Sequence, residues 1–247
     1  MPLLIDSHVH FYPSYDAGAL FRSFRAAVLR AGADAGAICL VEREGQSAFA
    51  AWSRGEGIPD GAELQRREDA ALLLSWREGP PVAVLAGRQV ACAERVEILA
   101  LGTPAAFRDG IPAAEAVAAA RDAGALPVLA WGVGKWLFSR AKVVRGLLDR
   151  FPADGLFLGD TSMRPVFWPA PAPMAGAPSS GRRVLHGSDP LPKPGEERRA
   201  GEWADLASGA LPGDRPLAGA LLQILREAPM RPAGRRAGLL EFVRRMG

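Results

Sequence analysis

The chain has 247 residues, of which 49% are hydrophobic and 23% charged, and its formal net charge is +3. This composition excludes a disordered chain, and the length suits one large α/β barrel. No apolar stretch reaches the roughly 18 residues of a membrane span, so we predict a single globular domain over residues 1–247, located in the cytoplasm and without a membrane partner.

The first part of the chain predicts a β-α-β unit. An apolar strand begins at residue 3 and runs into the pair His8 and His10. Apolar residues at spacings of three and four predict a helix over residues 17–31, and the apolar run 35–41 predicts a second, parallel strand. Another helix is expected over residues 46–52, followed by a polar loop with several glycines.

Residues 70–102 show a different pattern, in which short apolar runs alternate with turns and no helix intervenes. The runs are residues 72–76, 82–85, 89–92 and 96–101. Turns are expected at residues 77–81 and 86–88, where glycine and proline or a single glycine interrupt the runs. This part of the chain therefore predicts a local antiparallel meander.

Helix and strand patterns alternate again in the second half. They predict helices over residues 112–123 and 137–150 and strands over residues 127–131 and 156–159. Residues 165–181 predict a long loop, because their repeated prolines remove backbone donors. We interpret this loop as a lid, with an irregular insertion as the alternative. Two or three helices close the chain, the last over residues 233–246.

The pair His8 and His10 is the most informative motif. Side chains two residues apart on a strand point to the same face, so both imidazoles can bind one metal ion. A catalytic site of this kind keeps one coordination position open and lowers the pKa of bound water to about 7. The alternative is two polar residues at a strand end.

A strand that ends in Asp-x-His-x-His resembles the start of amidohydrolase-superfamily and PHP-type metal hydrolases. Near the other end, residues 183–192 read Arg-Val-Leu-His-Gly-Ser-Asp-Pro-Leu-Pro and resemble the last barrel strand of these families. The aspartate of that motif binds metal and takes the proton of the attacking water, and Asp189 matches it. A turn or N-cap aspartate is the alternative for Asp189.

The resemblance implies an α/β fold: a distorted, TIM-like (β/α) barrel of about seven or eight strands, with the antiparallel meander and C-terminal helices added. It implies one or two divalent ions, zinc, manganese or iron, bound by His8, His10 and Asp189. Glu97 resembles the strand glutamate that bridges metals in PHP-type enzymes, with a salt bridge to Arg88 or Arg95 as the alternative. The middle-strand histidines of these families are absent, so a decayed site is a further alternative.

Cationic side chains near the predicted strand ends suggest how a substrate is held. Lys135 follows glycines at the start of a predicted helix, and Arg164 follows a predicted strand, with Arg140 one turn beyond Lys135. We predict that these three residues bind the anionic part of a small substrate, a phosphoester or a carboxylated amide or ester. Solvent-facing cations are the alternative.

The predicted function is metal-dependent hydrolysis. The alternative is a non-catalytic barrel that binds an anionic ligand or a protein partner. A nucleic-acid partner is not expected, because the formal net charge is only +3 and the C-terminal arginines are interpreted as a solvated helix face. The sequence does not specify an oligomeric state.

Overall fold

Eleven strands and seven helices make up the fold, as seen in a computed structural model that describes residues 1–247. In chain order the strands are β1 Pro2–Val9, β2 Ala35–Glu42, β3 Ala62–Arg67, β4 Ala71–Trp76, β5 Val82–Ala91, β6 Glu97–Leu101, β7 Leu126–Ala130, β8 Phe157–Thr161, β9 Val184–Gly187, β10 Trp203–Ser208 and β11 Met230–Gly234. The helices are α1 Ala17–Arg30, α2 Ala48–Ser53, α3 Ala113–Asp122, α4 Ser139–Arg150, α5 Ala172–Ala175, α6 Leu217–Glu227 and α7 Leu239–Met246.

The strands form one mixed sheet. Its order is β11-β10-β1-β2-β5-β6-β7-β8-β9, with the β3–β4 hairpin attached to β5. The β1–β2, β2–β5, β7–β8 and β8–β9 pairs are parallel, whereas β5–β6, β6–β7, β1–β10 and β10–β11 are antiparallel. The α/β, barrel-like class is therefore confirmed. The TIM-like barrel of seven or eight strands is not, because a TIM barrel requires eight parallel strands.

The sheet is nearly closed where β1 meets β9. The Ser7 hydroxyl donates to the carbonyl of His186 at 2.9 Å, and the Asp189 amide donates to the carbonyl of His8 at 2.8 Å. Gly187 permits this approach, because a Cβ atom there would lie 2.3 Å from the Cβ atom of His8. The carboxyl ends of β1 and β9 are thus brought together, and with them the residues of the two sequence motifs.

Alternation along β1 distributes its side chains between two apolar layers. Leu3 and Ile5 belong to a cluster with Cys39 and Leu85 from neighbouring strands, whereas Leu4 belongs to a cluster that includes the apolar face of α1. This is the two-residue period expected for a strand that is covered on both faces. Cys39 and Cys92 are both buried and free.

Four local features differ from the predictions, and one of them is β10, a strand in the part of the chain that was expected to be helical. The turn expected at residues 86–88 is absent, because β5 continues through Gly87 and pairs with β2 and β6. The first strand of the hairpin, β3, was not indicated by its polar sequence. The last helix begins at Leu239, not at residue 233, because residues up to Gly234 form an edge strand against β10.

The proline-rich segment has little regular structure. Its residues form one short helix, α5, and otherwise turns and extended chain. None of the helices in the molecule has both the length and the apolar character needed to cross a bilayer.

Candidate metal centre

The end of β1 and the turn after β9 bring three ligand groups together. His8 and His10 are each 2% exposed, and Asp189 follows β9 in a left-handed backbone conformation with φ of +49°. The Nε2 atoms of the two imidazoles lie 3.1 Å apart. Asp189 Oδ1 lies 3.5 Å from His8 Nε2 and 3.7 Å from His10 Nε2. These are the two strand-end motifs of the sequence, now adjacent in space.

The size of this triangle fits a metal ion. Ligand atoms bound about 2.0–2.1 Å from a tetrahedral zinc ion are separated from one another by roughly 3.4 Å. The three observed separations, 3.1, 3.5 and 3.7 Å, bracket that value. No other group of three or more His, Cys, Asp or Glu side chains in the chain converges in this way.

The protonation states of the two imidazoles suit metal binding. Burial lowers the pKa of His8 and of His10 to about 4, so both rings are neutral at neutral pH. His10 Nδ1 donates to the Val41 carbonyl at 2.7 Å, which leaves the lone pair on Nε2. His8 Nδ1 is buried without a partner, whereas His8 Nε2 lies 3.2 Å from Gln89 Oε1 and 3.1 Å from His10 Nε2, which both accept hydrogen bonds. Without a metal ion, Nε2 of His8 therefore carries the ring proton, and binding of an ion there requires the tautomer with the proton on Nδ1.

Asp6 holds the closed end of the sheet in place. Its buried carboxylate accepts hydrogen bonds from the amides of Gly201 at 2.7 Å, Ser188 at 2.9 Å and His8 at 3.2 Å. Burial raises the pKa of Asp6 to about 7, against the lowering effect of these hydrogen bonds. Sequence reasoning did not assign Asp6 a role, although a carboxylate within an apolar strand requires partners.

The C-terminal helix α7 supports the loop that carries Asp189. Arg245 is 4% exposed and pairs with Glu196 at 2.7 Å. It also donates to the Ser162 hydroxyl at 3.1 Å and to the Asp189 carbonyl at 3.4 Å. Burial raises the pKa of the Asp189 carboxyl, and His10 opposes that rise. Sequence reasoning interpreted the arginines of this helix as solvent-facing and missed this contact.

Two further side chains line the imidazoles. Gln89 Oε1 lies 3.2 Å from His8 Nε2, and the Tyr12 ring lies 5.3 Å from the His10 ring. Both residues were missed in the sequence. Gln89 is a buried amide in a largely apolar strand, and that was the available signal.

Glu97, the predicted fourth ligand, forms an ion pair with Lys135. It is not among the three converging ligands, although its charge acts on His8, His10 and Asp189. Burial raises the pKa of Glu97, but the ammonium of Lys135 outweighs this effect and the net shift is downward. Glu97 therefore lies beside the metal centre as a carboxylate, and its role as a ligand stays a prediction.

The predicted substrate ligands have different surroundings. Arg164 is buried and bonds Asp160 through two N–H groups, each at 2.7 Å, while a third group donates to the Trp168 carbonyl at 2.9 Å. These contacts bind most of its donors within the protein. Arg140 is half-buried and forms no ion pair. Substrate binding by Lys135, Arg140 and Arg164 stays a prediction.

His186, the third histidine of the chain, does not join the group. Its Nδ1 lies 2.7 Å from Asp205 Oδ1, and its amide donates to Asp205 Oδ2 at 2.8 Å. This pair links β9 to β10, as expected for a structural role.

Comparisons with known proteins give fold relatives only. No protein-family model and no curated protein sequence matches the chain. Among solved structures, PsfC from Pseudomonas syringae PB-5123 is similar with a TM-score of 0.56 and 15% identity, over 94% of this chain and 91% of that one. The lesion-specific endonuclease PfuEndoQ from Pyrococcus furiosus is similar with a TM-score of 0.58 and 13% identity, over 95% of this chain. This chain spans 59% of that endonuclease's length. Endonuclease Q in complex with a 27-mer duplex substrate has a TM-score of 0.48 at 15% identity, over 84% of this chain and 53% of that one.

These findings correct two expectations. The assignment to the amidohydrolase and PHP-type hydrolases is contradicted, because the similar structures are PsfC and endonuclease Q and the mixed sheet is not the implied TIM barrel. The expectation of a small anionic substrate without a nucleic-acid partner is contradicted, because an endonuclease is among the similar structures. The low net charge was a weak guide to the partner, because net charge does not describe how charge is distributed over the surface.

Proposed function

We propose that the protein is a metal-dependent hydrolase that cleaves a phosphodiester bond in nucleic acid. The observation that carries the proposal is the convergence of His8 Nε2, His10 Nε2 and Asp189 Oδ1 within 3.1–3.7 Å of one another. Two neutral imidazoles and one carboxylate are a donor set that zinc, manganese and iron all accept. The fold likeness to an endonuclease directs the proposal to nucleic acid.

Each residue has a defined task in this proposal. His8, His10 and Asp189 hold the divalent ion, which when bound makes water a stronger nucleophile at neutral pH and neutralises charge on the phosphate. Asp189 is the residue whose carboxylate takes the proton of the attacking water. Burial raises its pKa, which brings the group closer to the range in which a general base works.

In this proposal, Lys135 acts on the bound phosphate. It lies beside Glu97 at the edge of the centre, and its side chain is 31% exposed. A cation there favours the negative charge that increases on the phosphate during the reaction. Glu97 holds the ammonium in position.

The experiment is cleavage of labelled DNA by the purified protein with added manganese or zinc. We expect products from the wild type, none after addition of a chelator, and none from Asp189→Asn. Asp34→Asn is the matched control, because Asp34 is exposed and makes no side-chain hydrogen bond or ion pair, and it should cleave like the wild type.

Two outcomes contradict the proposal. Activity that persists in Asp189→Asn would remove the carboxylate from the chemistry. Binding of the ion without cleavage of any DNA or phosphodiester would favour the non-catalytic alternative.

A further inference from the structure

A cavity of about 330 Å³ adjoins the metal centre. Its lining residues are Glu42, Arg43, Glu44, Gly45, Gln46, Arg88, Gln89, Ala106, Phe107 and Arg108. Gln89 belongs to both places, because its amide oxygen lies 3.2 Å from His8 Nε2. A larger groove of about 990 Å³ lies between α1 and β11 and shares no residue with the metal centre. Of these two, only the smaller cavity is lined by a residue that contacts the ligand group.

The walls of this cavity are tied to each other by hydrogen bonds. The Arg43 amide donates to Gln46 Oε1 at 2.8 Å, which closes the turn after β2. Across the cavity, the Asp109 amide donates to Glu44 Oε2 at 3.1 Å, and Asp109 Oδ1 accepts from the Ala91 amide at 2.8 Å. These hydrogen bonds fix the turn after β2 and the segment around Asp109, which border the cavity.

The cavity presents two guanidinium groups without a carboxylate partner. Arg88 is committed, because it pairs with buried Glu42 at 3.1 Å and donates to two backbone carbonyls. Arg43 and Arg108 are exposed and form no ion pair. Arg43 also lies beside the hydroxyl of Tyr12, whose ring contacts His10. Arg43 therefore links the cavity to the metal centre through Tyr12.

Phe107 adds an aromatic side chain between these cations. Its ring is half-buried, so one part packs on the protein while another part faces the cavity. An aromatic surface flanked by arginines is the arrangement that proteins use to stack a base and hold the phosphates beside it.

We propose that this cavity binds one unpaired nucleotide of the strand, next to the bond that is cleaved. The base stacks on Phe107, and Arg43 and Arg108 bind the flanking phosphates. This inference rests on the proposed function, since it assigns the substrate contacts of the same site. A cavity of this volume accepts a single nucleotide and excludes a duplex, so the strand must be single or locally opened there.

The test is the affinity of a labelled single-stranded oligodeoxynucleotide, measured by fluorescence anisotropy in the Asp189→Asn background so that no cleavage occurs. Phe107→Ala should weaken binding by roughly 5- to 150-fold, the range found for loss of one stacked base. Arg43→Ala and Arg108→Ala should each make the slope of log K against log salt shallower by about 0.7. Arg226→Ala removes an equal charge from the exposed face of α6 and should change neither quantity.

Unchanged affinity in Phe107→Ala, or unchanged salt slopes in both arginine variants, would overturn the cavity assignment. Thermal melting of each variant shows whether it is folded, and the salt slope responds to a lost phosphate contact and not to a loosened loop. Hydrolysis of bis(para-nitrophenyl) phosphate by the wild type separates the two proposals. If the wild type hydrolyses this compound but the binding results contradict the cavity, only the cavity assignment is rejected. If the compound is not hydrolysed but the binding results are as expected, only the hydrolase proposal is rejected.

Discussion

Replacing Asp6 with alanine tests how the closed end of the sheet is held. The carboxylate accepts three buried backbone hydrogen bonds, at 2.7, 2.9 and 3.2 Å. Each donor left unpaired in a buried position costs about 1–3 kcal/mol. The variant also removes a carboxylate whose own burial is unfavourable, as its pKa of about 7 indicates. We therefore expect the free energy of unfolding to fall by roughly 3 kcal/mol, at the low end of the sum.

Urea unfolding of the metal-free protein measures this change. Asp6→Asn keeps one acceptor oxygen, so its loss should be smaller than that of Asp6→Ala. Asp34→Ala removes an exposed carboxylate without side-chain contacts and serves as the control. Unfolding of Asp6→Ala at the same urea concentration as Asp34→Ala would show that Asp6 does not hold the sheet closed.

Three other predictions follow from buried polar groups. Asp160→Ala leaves the buried guanidinium of Arg164 unpaired, and it should lower the free energy of unfolding, measured in urea, by about 3–5 kcal/mol. Replacing Asp160 by leucine together with Arg164 by methionine should lower that free energy less, and equal losses would refute this. Burial raises the pKa of Cys92 to about 12 and also raises that of Cys39. Ellman's reagent should therefore label neither thiol until urea is added. Rapid labelling of the folded protein would contradict the burial of these thiols. Because the pKa of His10 is about 4 in the fold and 6.5 in the unfolded chain, the metal-free protein should lose stability as pH falls from about 6.5 to about 4. His10→Gln should lose less stability over that range. An identical pH dependence of the two proteins would contradict the burial of a neutral His10.

Local pattern predicted much of the secondary structure. The helix near α1 and the strand near β2 were predicted to within one residue, because their apolar spacing is regular and long. The edge strand β11 was missed, since Pro232 and the charged residues around it argue against a strand in the absence of a partner. Its pairing with β10 is a tertiary contact that no local pattern contains.

The pairing of the two motifs was the part of the site that sequence reasoning identified. His8 and His10 share a face by strand geometry, but their distance to Asp189 depends on the approach of β1 to β9, and the family resemblance alone suggested it. Asp6 and Arg245 were missed because their roles are defined by partners far away in the chain. Long-range contacts of single polar side chains leave almost no trace in local periodicity.

Isothermal titration of the chelator-treated protein with zinc and with manganese measures whether His8, His10 and Asp189 bind an ion. We expect saturable binding of at least one ion per chain, lost in His10→Gln and in Asp189→Asn and retained in Asp34→Asn. Binding that is absent in the wild type, or unchanged in both ligand variants, would contradict the metal centre.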